Sequence, residues 1–181
     1  MVFIAGLDLA AKENRPSGLA IAKDNIVIMV SKVYSDEEIL DTILKHKVKV
    51  VAVDAPLSHA RTYRKVDLKM KRKGLNVLPP GWRTMKPLVD RAIALKDKLN
   101  ENGVKVIETH PQSALKTSGY KNGMFLISTH LTIEPYVLNK LSKDEIDALI
   151  CLLVAYYYVK GDIEKIEADD GVIYLLPKLR D

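Results

Sequence analysis

The chain has 181 residues, of which 48% are hydrophobic and 28% charged, with a formal net charge of +5. These values suit one globular domain over residues 1–181 with a sizeable core. No apolar run reaches the roughly 18 residues of a membrane span, and MVFIAGLDLA has no basic leader, so we expect neither a membrane anchor nor a signal peptide. A single cysteine, Cys151, excludes a disulfide framework and a cysteine zinc site, and it favours a reducing, cytoplasmic setting.

The first third of the chain predicts an antiparallel meander followed by a strand–helix–strand step. Residues 2–10 form an apolar run typical of a strand buried on both faces, and GLAIAK and NIVIMVSKVY predict two more strands. SDEEILDTILKHK predicts a helix with Ser35 as its N-cap and Glu38 completing a capping box. VKVVAVDAPLS then predicts a buried strand. The strand–helix–strand step implies a right-handed crossover and parallel pairing with an earlier strand.

The remainder of the chain predicts helices around one more buried strand. Residues 59–100 are expected to form a largely helical insertion, which begins with a basic helix and breaks at LPPGW. VKVIETHP predicts a third buried strand that ends in an acid, and PQSALKTSGYKNG is interpreted as loop and turn. A long helix starts at Lys143, and GVIYLLP predicts a short edge strand. One glutamine among many Lys, Ile and Val residues hints at a thermophilic source.

The long helix, SKDEIDALICLLVAYYYVKG, carries one acid that ordinary helix chemistry does not explain. Ser142 and Glu145 form a capping box, and Asp144 lies in the first turn, where the helix dipole favours negative charge. Asp147 lies past the first turn and shares its helix face with apolar residues one to three turns further on. Because burial of an unpaired charge is costly, we interpret Asp147 as a functional residue.

Acids also end three predicted buried strands, with Asp8 in GLDLA, Asp54 in VAVDAP and Glu108 in VIETHP. The carboxyl ends of neighbouring parallel strands line the ligand crevice of an open sheet, so these acids are expected to converge with Asp144 and Asp147 as catalytic residues. Clustered carboxylates repel one another, and a divalent cation removes that conflict; oxygen-only ligands suit Mg²⁺ or Mn²⁺. Taken singly, each strand-end acid is explained equally well as a loop residue or a cap.

Basic residues are concentrated in RTYRKVDLKMKRKG, Arg61 to Gly74, which holds seven basic residues and one acid. A basic face is typical of a polyanion binder, and Trp82 is positioned to stack on a base, although a solvated helix face and a core-covering turn are the ordinary alternatives. The predicted nucleic-acid-binding residues are Arg15, Arg61, Arg64, Lys65, Lys71, Arg72, Lys73, Trp82 and Arg83. A carboxylate cluster beside such a surface points to a phosphodiester substrate, DNA or RNA.

The order of these motifs resembles the ribonuclease H-like fold, a mixed sheet with an antiparallel meander, then parallel strands, flanked by helices. The D-x-x-D-A motif at Asp144 to Ala148 resembles the last catalytic helix of Holliday-junction resolvases of the RuvC type. That resemblance implies a metal-dependent nuclease in which Asp8, Asp54, Asp144 and Asp147 hold the metals, and it leaves a homodimer open. GLDLA, VDAPLS, LPPGW, VIETHPQSALK and DEIDAL together are similar to an uncharacterised prokaryotic family of predicted nucleases with a ribonuclease H fold.

Two alternative functions fit parts of the sequence. Actin-like and sugar-kinase-like phosphotransferases share the acid-ended first strand and the hairpin, but they need a glycine-rich phosphate loop, and AKENRPSG has only Gly18 at its far end. A non-catalytic nucleic-acid-binding protein with a vestigial acidic site is the other alternative. It predicts binding that persists without Mg²⁺ and after loss of Asp8 or Asp147.

Overall fold

Seven strands form one mixed sheet in the computed structural model, which describes residues 1–180. The strands are β1 (Phe3–Asp8), β2 (Ser17–Lys23), β3 (Ile26–Val33), β4 (Val50–Asp54), β5 (Lys105–Thr109), β6 (Glu164–Ala168) and β7 (Gly171–Leu175). Their order is β3-β2-β1-β4-β5-β7-β6, in which β1, β4, β5 and β7 run parallel. Strands β2, β3 and β6 are antiparallel to their neighbours, so the predicted meander followed by parallel strands is confirmed.

Helices cover both faces of this sheet. They are α1 (Asp36–Lys45), α2 (Lys65–Arg72), α3 (Lys86–Glu101), α4 (Pro111–Thr117), α5 (Gly123–His130), α6 (Pro135–Leu138) and α7 (Lys143–Lys160). Helix α7 packs along β1, β2 and β4 on one face, whereas α1 and α3 pack with the core of the other face. None of the helices within residues 1–180 combines the length and apolar character needed to span a lipid bilayer.

The strand residues alternate between these two faces, as the period of a β-strand requires. On β1, Ile4 packs in the core beneath α7, whereas Ala5 and Leu7 pack in the opposite core. On β4, Ala52 lies on the α7 side and Val53 on the other side. Asp8 and Asp54 therefore follow the parity of the α7 face, and both strands deliver their terminal acid to the same side of the sheet.

Two local predictions were wrong. The segment PQSALKTSGYKNG was interpreted as loop, but its first seven residues form α4, because Pro111 suits the first helical position and the His110 side chain caps the helix. GVIYLLP does form a strand, but β7 is not an edge strand, since it pairs with β5 and with β6. Strand β6, EKIEA, forms this edge of the sheet; its burial pattern has one buried residue, so it lacks the apolar signal of a core strand.

Candidate active site

Two glycines allow α7 to approach the sheet closely enough to bring its acids to the strand ends. A Cβ atom on Gly6 of β1 would collide with the backbone of Ala148 and Leu152, and one on Gly18 of β2 would collide with the backbone of Asp144. Gly18 is the register partner of Asp8 across the β1–β2 pair. The first turn of α7 thus lies directly over the end of β1, and helix and strand backbones meet without intervening side chains.

The Asp8 and Asp54 carboxylates lie at the ends of neighbouring parallel strands, and both line the same cavity. Within residues 1–180, no hydrogen bond and no ion pair reaches either carboxylate. Burial, followed by the charges of Asp147 and Asp144, raises the pKa of Asp8 to about 7, while Lys143 opposes the rise. Burial, with the charges of Asp8 and Asp147, raises the pKa of Asp54 well above its ordinary value. These acids are close enough to disfavour one another's ionisation.

Asp147 is buried, with 5% of its surface exposed, as its position on the apolar face of the helix predicts. Its Oδ1 accepts a hydrogen bond from Gln112 Nε2 at 2.9 Å, and its Oδ2 lies 3.5 Å from Lys143 Nζ. Burial raises the pKa of Asp147, and Lys143 and Gln112 oppose that rise. The Lys143 side chain is 83% exposed, so its contact with Asp147 is screened by water. Asp144, one turn earlier, is half-buried.

Glu108 has a different environment, because it binds an arginine. Arg64 Nη2 lies 2.5 Å from Glu108 Oε1, and Arg64 Nη1 donates to Glu108 Oε2 at 2.8 Å. Asp67 binds the same guanidinium through Nη2 at 2.7 Å and Nε at 3.0 Å. The backbone N–H of Leu57 also donates to Glu108, so this carboxylate is fully engaged. The triad ties α2 to the end of β5.

Strand register explains why Glu108 lies on the opposite side of the sheet from Asp8 and Asp54, although all three line one cavity. Asp54 pairs in register with Thr109, and Glu108 pairs with Val53, which lies on the face opposite α7. A shift of one residue along a strand moves a side chain to the other face of the sheet. Thr109, which follows Glu108 in the chain, therefore occupies on β5 the position that Asp54 occupies on β4. The alternation of side chains within VVAVD and KVIET does not reveal this one-residue offset, because the offset depends on the pairing register between the two strands.

A cavity of about 240 Å³ lies at the carboxyl ends of β1, β4 and β5. Its polar wall includes Asp8, Asp54, Glu108 and His110. Its apolar wall comes from the segment between α2 and α3 and from the start of α3. The apolar residues are Val77, Leu78, Met85 and Leu88. The segment predicted as an insertion therefore closes the strand-end crevice on one side.

His110 lines this cavity and caps α4. Its Nδ1 accepts from the Ser113 backbone N–H at 3.3 Å and lies 2.7 Å from Ser113 Oγ. With Nδ1 as acceptor, these hydrogen bonds assign the ring proton to Nε2. Burial lowers the pKa of His110, which favours the neutral form of the ring. No acceptor within residues 1–180 binds Nε2.

The acids match the ligands of a divalent cation in donor type but not in placement. Asp8, Asp54 and Asp147 offer only oxygen donors, and no ion pair within residues 1–180 engages Asp8 or Asp54, which is the donor chemistry that Mg²⁺ and Mn²⁺ take. Within residues 1–180, however, no set of three or more His, Cys, Asp or Glu side chains is arranged to hold a metal ion. The donor set fits a hard cation in chemical type, but the side chains do not form a preformed site.

The basic residues proposed to bind nucleic acid fall into distinct groups. Arg64 is not a surface residue, since only 2% of it is exposed and its guanidinium is held in the triad. Lys65 pairs with Asp169 at 2.5 Å, and Lys73 pairs with Glu164 at 3.0 Å. Acids from β6 and the β6–β7 turn thus neutralise part of the basic helix. Sequence spacing could not reveal these pairs, because the acids lie about a hundred residues from the lysines in the chain.

Four of the remaining arginines and one aromatic residue keep free, exposed side chains. Arg15, Arg61, Arg72, Arg83 and Trp82 are exposed, and no hydrogen bond or ion pair within residues 1–180 engages their side chains. Lys71 differs, because its Nζ donates to the Tyr63 hydroxyl and lies 4.2 Å from the centre of that ring. Arg61 and Arg83 flank the turn that carries the apolar wall of the cavity, since Gly81 donates its N–H to Thr62.

Two solved structures of RuvC have a fold similar to that of this chain. The structure of Thermus thermophilus RuvC in complex with a Holliday junction substrate matches with a TM-score of 0.60 and 14% identity, covering 88% of this chain and 97% of that chain. A second Thermus thermophilus RuvC structure matches with a TM-score of 0.56 and 16% identity over the same shares. At the sequence level, no family model and no curated protein matches this chain. These likenesses confirm the predicted ribonuclease H-like fold.

Proposed function

We propose that this protein is a nuclease that hydrolyses phosphodiester bonds in DNA or RNA. One observation carries the proposal: the Asp8 and Asp54 carboxylates, at the ends of adjacent parallel strands, share a cavity with no ion pair within residues 1–180 and lie near buried Asp147. Unpaired acids at such a site destabilise the fold, and that cost is typical of a functional site. The likeness to a RuvC enzyme solved with a Holliday junction supports the choice of a nucleic-acid substrate.

Asp8, Asp54, Asp144 and Asp147 are the residues we propose to hold Mg²⁺ or Mn²⁺. A divalent ion there would stabilise charge on phosphate oxygens and lower the pKa of a bound water. Hydrolysis adds the water oxygen to phosphorus and breaks one phosphorus–oxygen ester bond, giving a phosphomonoester and a free hydroxyl. Gln112 and Lys143 orient Asp147 through its two oxygens. Glu108, bound by Arg64, anchors α2 and supports the cavity wall, and we assign it no direct chemical step.

The test is cleavage of a panel of labelled substrates with Mg²⁺ or Mn²⁺. The panel contains single strands, duplexes and four-way junctions of DNA and of RNA. We expect wild type to cut at least one substrate, and Asp8→Asn and Asp54→Asn to slow cleavage by roughly 10²-fold or more, the scale of losing one transition-state contact. Asp97→Asn, at an exposed side chain of α3, is the matched control and should cut at the wild-type rate.

The same panel separates catalysis from simple binding. A nuclease loses cleavage in Asp8→Asn while the variant still folds and binds substrate. If wild type binds nucleic acid but leaves every substrate intact with both metals, the catalytic proposal is overturned and the protein is a nucleic-acid-binding domain. Phosphate transfer from ATP to a small acceptor, measured in parallel, would identify the phosphotransferase alternative.

A further inference from the structure

The cavity beside the strand-end acids has two chemically different walls. The acids and His110 line one wall, and Val77, Met85 and Leu88 line the other. Its volume of about 240 Å³ lies near the low end of ligand pockets, which are roughly 300–1,000 Å³. It therefore has room for one small group, not for a stretch of nucleic acid.

The apolar wall is built as an ordered turn. The N–H of Gly81 donates to the Thr62 carbonyl at 3.0 Å, and the N–H of Met85 donates to the Trp82 carbonyl at 2.9 Å. A Cβ atom on Gly81 would collide with the Arg61 carbonyl, so the turn packs closely against the preceding segment. These contacts hold the turn against residues 61 and 62.

The charges around the cavity exclude an anionic occupant from its interior. Asp8 and Asp54 line it with no ion pair within residues 1–180, and the Arg64–Asp67–Glu108 triad, which also lines it, contains two acids and one base. Acids therefore outnumber bases in the lining, and a phosphate inside the cavity would meet repulsion from those acids that are ionised. An uncharged planar ring would instead contact the apolar side chains and lie near His110, whose Nε2–H is a hydrogen-bond donor with no acceptor within residues 1–180.

We propose that this cavity accepts one unpaired nucleobase of the bound strand, next to the phosphate at the carboxylates. The inference rests on the proposed function, because it places the attached phosphate at Asp8 and Asp54. Val77, Met85 and Leu88 contact the ring, and His110 donates a hydrogen bond to a base acceptor. A base paired within a duplex cannot enter, so the protein prefers substrates with an unpaired or unstacked base near the cut.

The test measures affinity without chemistry, in EDTA. Two labelled duplexes are compared: one carries a single unpaired adenine, and the other carries an abasic residue at the same position. Wild type should bind the first about tenfold more tightly, since the abasic duplex cannot bury a base against the apolar wall. Repulsion between the acids and phosphate acts equally on both duplexes, so the ratio isolates the base.

Filling the cavity should abolish this preference. Met85→Trp, which adds bulk to the apolar wall, should reduce the affinity ratio to about one, as expected when the contacts to one base are lost. Thr84→Trp places the same side chain on the exposed neighbouring residue and should keep the wild-type ratio. If Met85→Trp does not fold, Leu88→Phe is the replacement. Equal affinity of wild type for both duplexes, or an unchanged ratio in a folded cavity-filling variant, would overturn the proposal.

Two further arms separate this inference from its alternatives. If the protein prefers the unpaired base but cleaves no substrate of the panel, the base site is supported and the nuclease proposal is overturned. If it cleaves a substrate but shows no base preference, the nuclease proposal is supported and the base site is overturned. Free deoxyadenosine at the concentration of the duplex should not displace it, because the strand supplies additional contacts. Displacement at equal concentration would assign the cavity to a free nucleoside and overturn the assignment to a strand.

Discussion

Asp8 combines substantial burial with acidic neighbours, and its carboxylate has no hydrogen-bonding partner among residues 1–180. Its pKa of about 7 compares with an ordinary value of 3.8. The folded state therefore binds this proton more tightly than the unfolded state between pH about 4 and 7. Stability falls as pH rises through that window and levels off above it. Ionisation of Asp8 thus lowers the free energy of unfolding.

Replacing Asp8 by asparagine should stabilise the metal-free protein at high pH. Asparagine has nearly the shape of the protonated acid and stays neutral, so Asp8→Asn should melt close to wild type at pH 4 and at a higher temperature at pH 8. Thermal unfolding in EDTA measures both. Asp97→Asn, at a mostly exposed side chain, should show no comparable pH dependence. A variant that melts below wild type by the same amount at both pH values would contradict this account.

At the scale of elements, the contact between α7 and the meander decides where the acids lie. Gly6 and Gly18 leave space that the helix backbone fills, at Ala148 and at Asp144 respectively. An added methyl group must therefore displace the helix, since backbone atoms cannot rotate away as a flexible side chain can. The same displacement would move Asp144 and Asp147 relative to Asp8.

We expect Gly6→Ala to destabilise the protein by about 1–3 kcal/mol or more, the cost of overpacking a core contact. Urea denaturation measures the change. Gly123→Ala is the control, because its nearest contact is the Ile150 Cδ1 atom at 3.2 Å and alanine is favoured over glycine within helices by up to about 1 kcal/mol. Equal stability of Gly6→Ala and wild type would show that α7 can move without cost.

Individual elements also show what the sequence could and could not predict. The buried strands, the capped helices and the burial of Asp147 follow from local patterns, namely apolar runs, capping boxes and helical spacing. The relation of Glu108 to Asp8 and Asp54 depends on strand register, which is a property of pairing between distant segments. The pairing of the basic helix with β6 likewise depends on a contact across about a hundred residues.

For the whole molecule, the net charge of +5 is distributed less simply than the sequence implies. Acids of the β6–β7 hairpin neutralise Lys65 and Lys73 of the basic segment. Within residues 1–180, unpaired arginines remain at Arg61 and Arg83, which flank the turn beside the apolar wall of the cavity, and at Arg72 at the end of α2. The surface expected to contact phosphates is therefore the rim of the cavity, more than the length of α2.

Salt dependence of nucleic-acid binding distinguishes these two surfaces. Arg61→Ala should reduce the slope of log affinity against log salt by about 1, because one phosphate contact is lost. Lys65→Ala should change the slope little, since Asp169 already neutralises that charge. Titration of one duplex at several salt concentrations measures both slopes. A larger change for Lys65→Ala than for Arg61→Ala would place the phosphate contacts along α2 instead.

The position of Cys151 gives the molecule its own reporter of opening. This thiol, the single one in the chain, is fully buried in the middle of α7, next to the residues that Gly6 of β1 contacts. A thiol reagent can reach it only when the helix lifts from the sheet or the chain unfolds. The labelling rate under native conditions therefore measures how often the acids of α7, Asp144 and Asp147, separate from Asp8 and Asp54 at the strand ends. No engineered probe is needed.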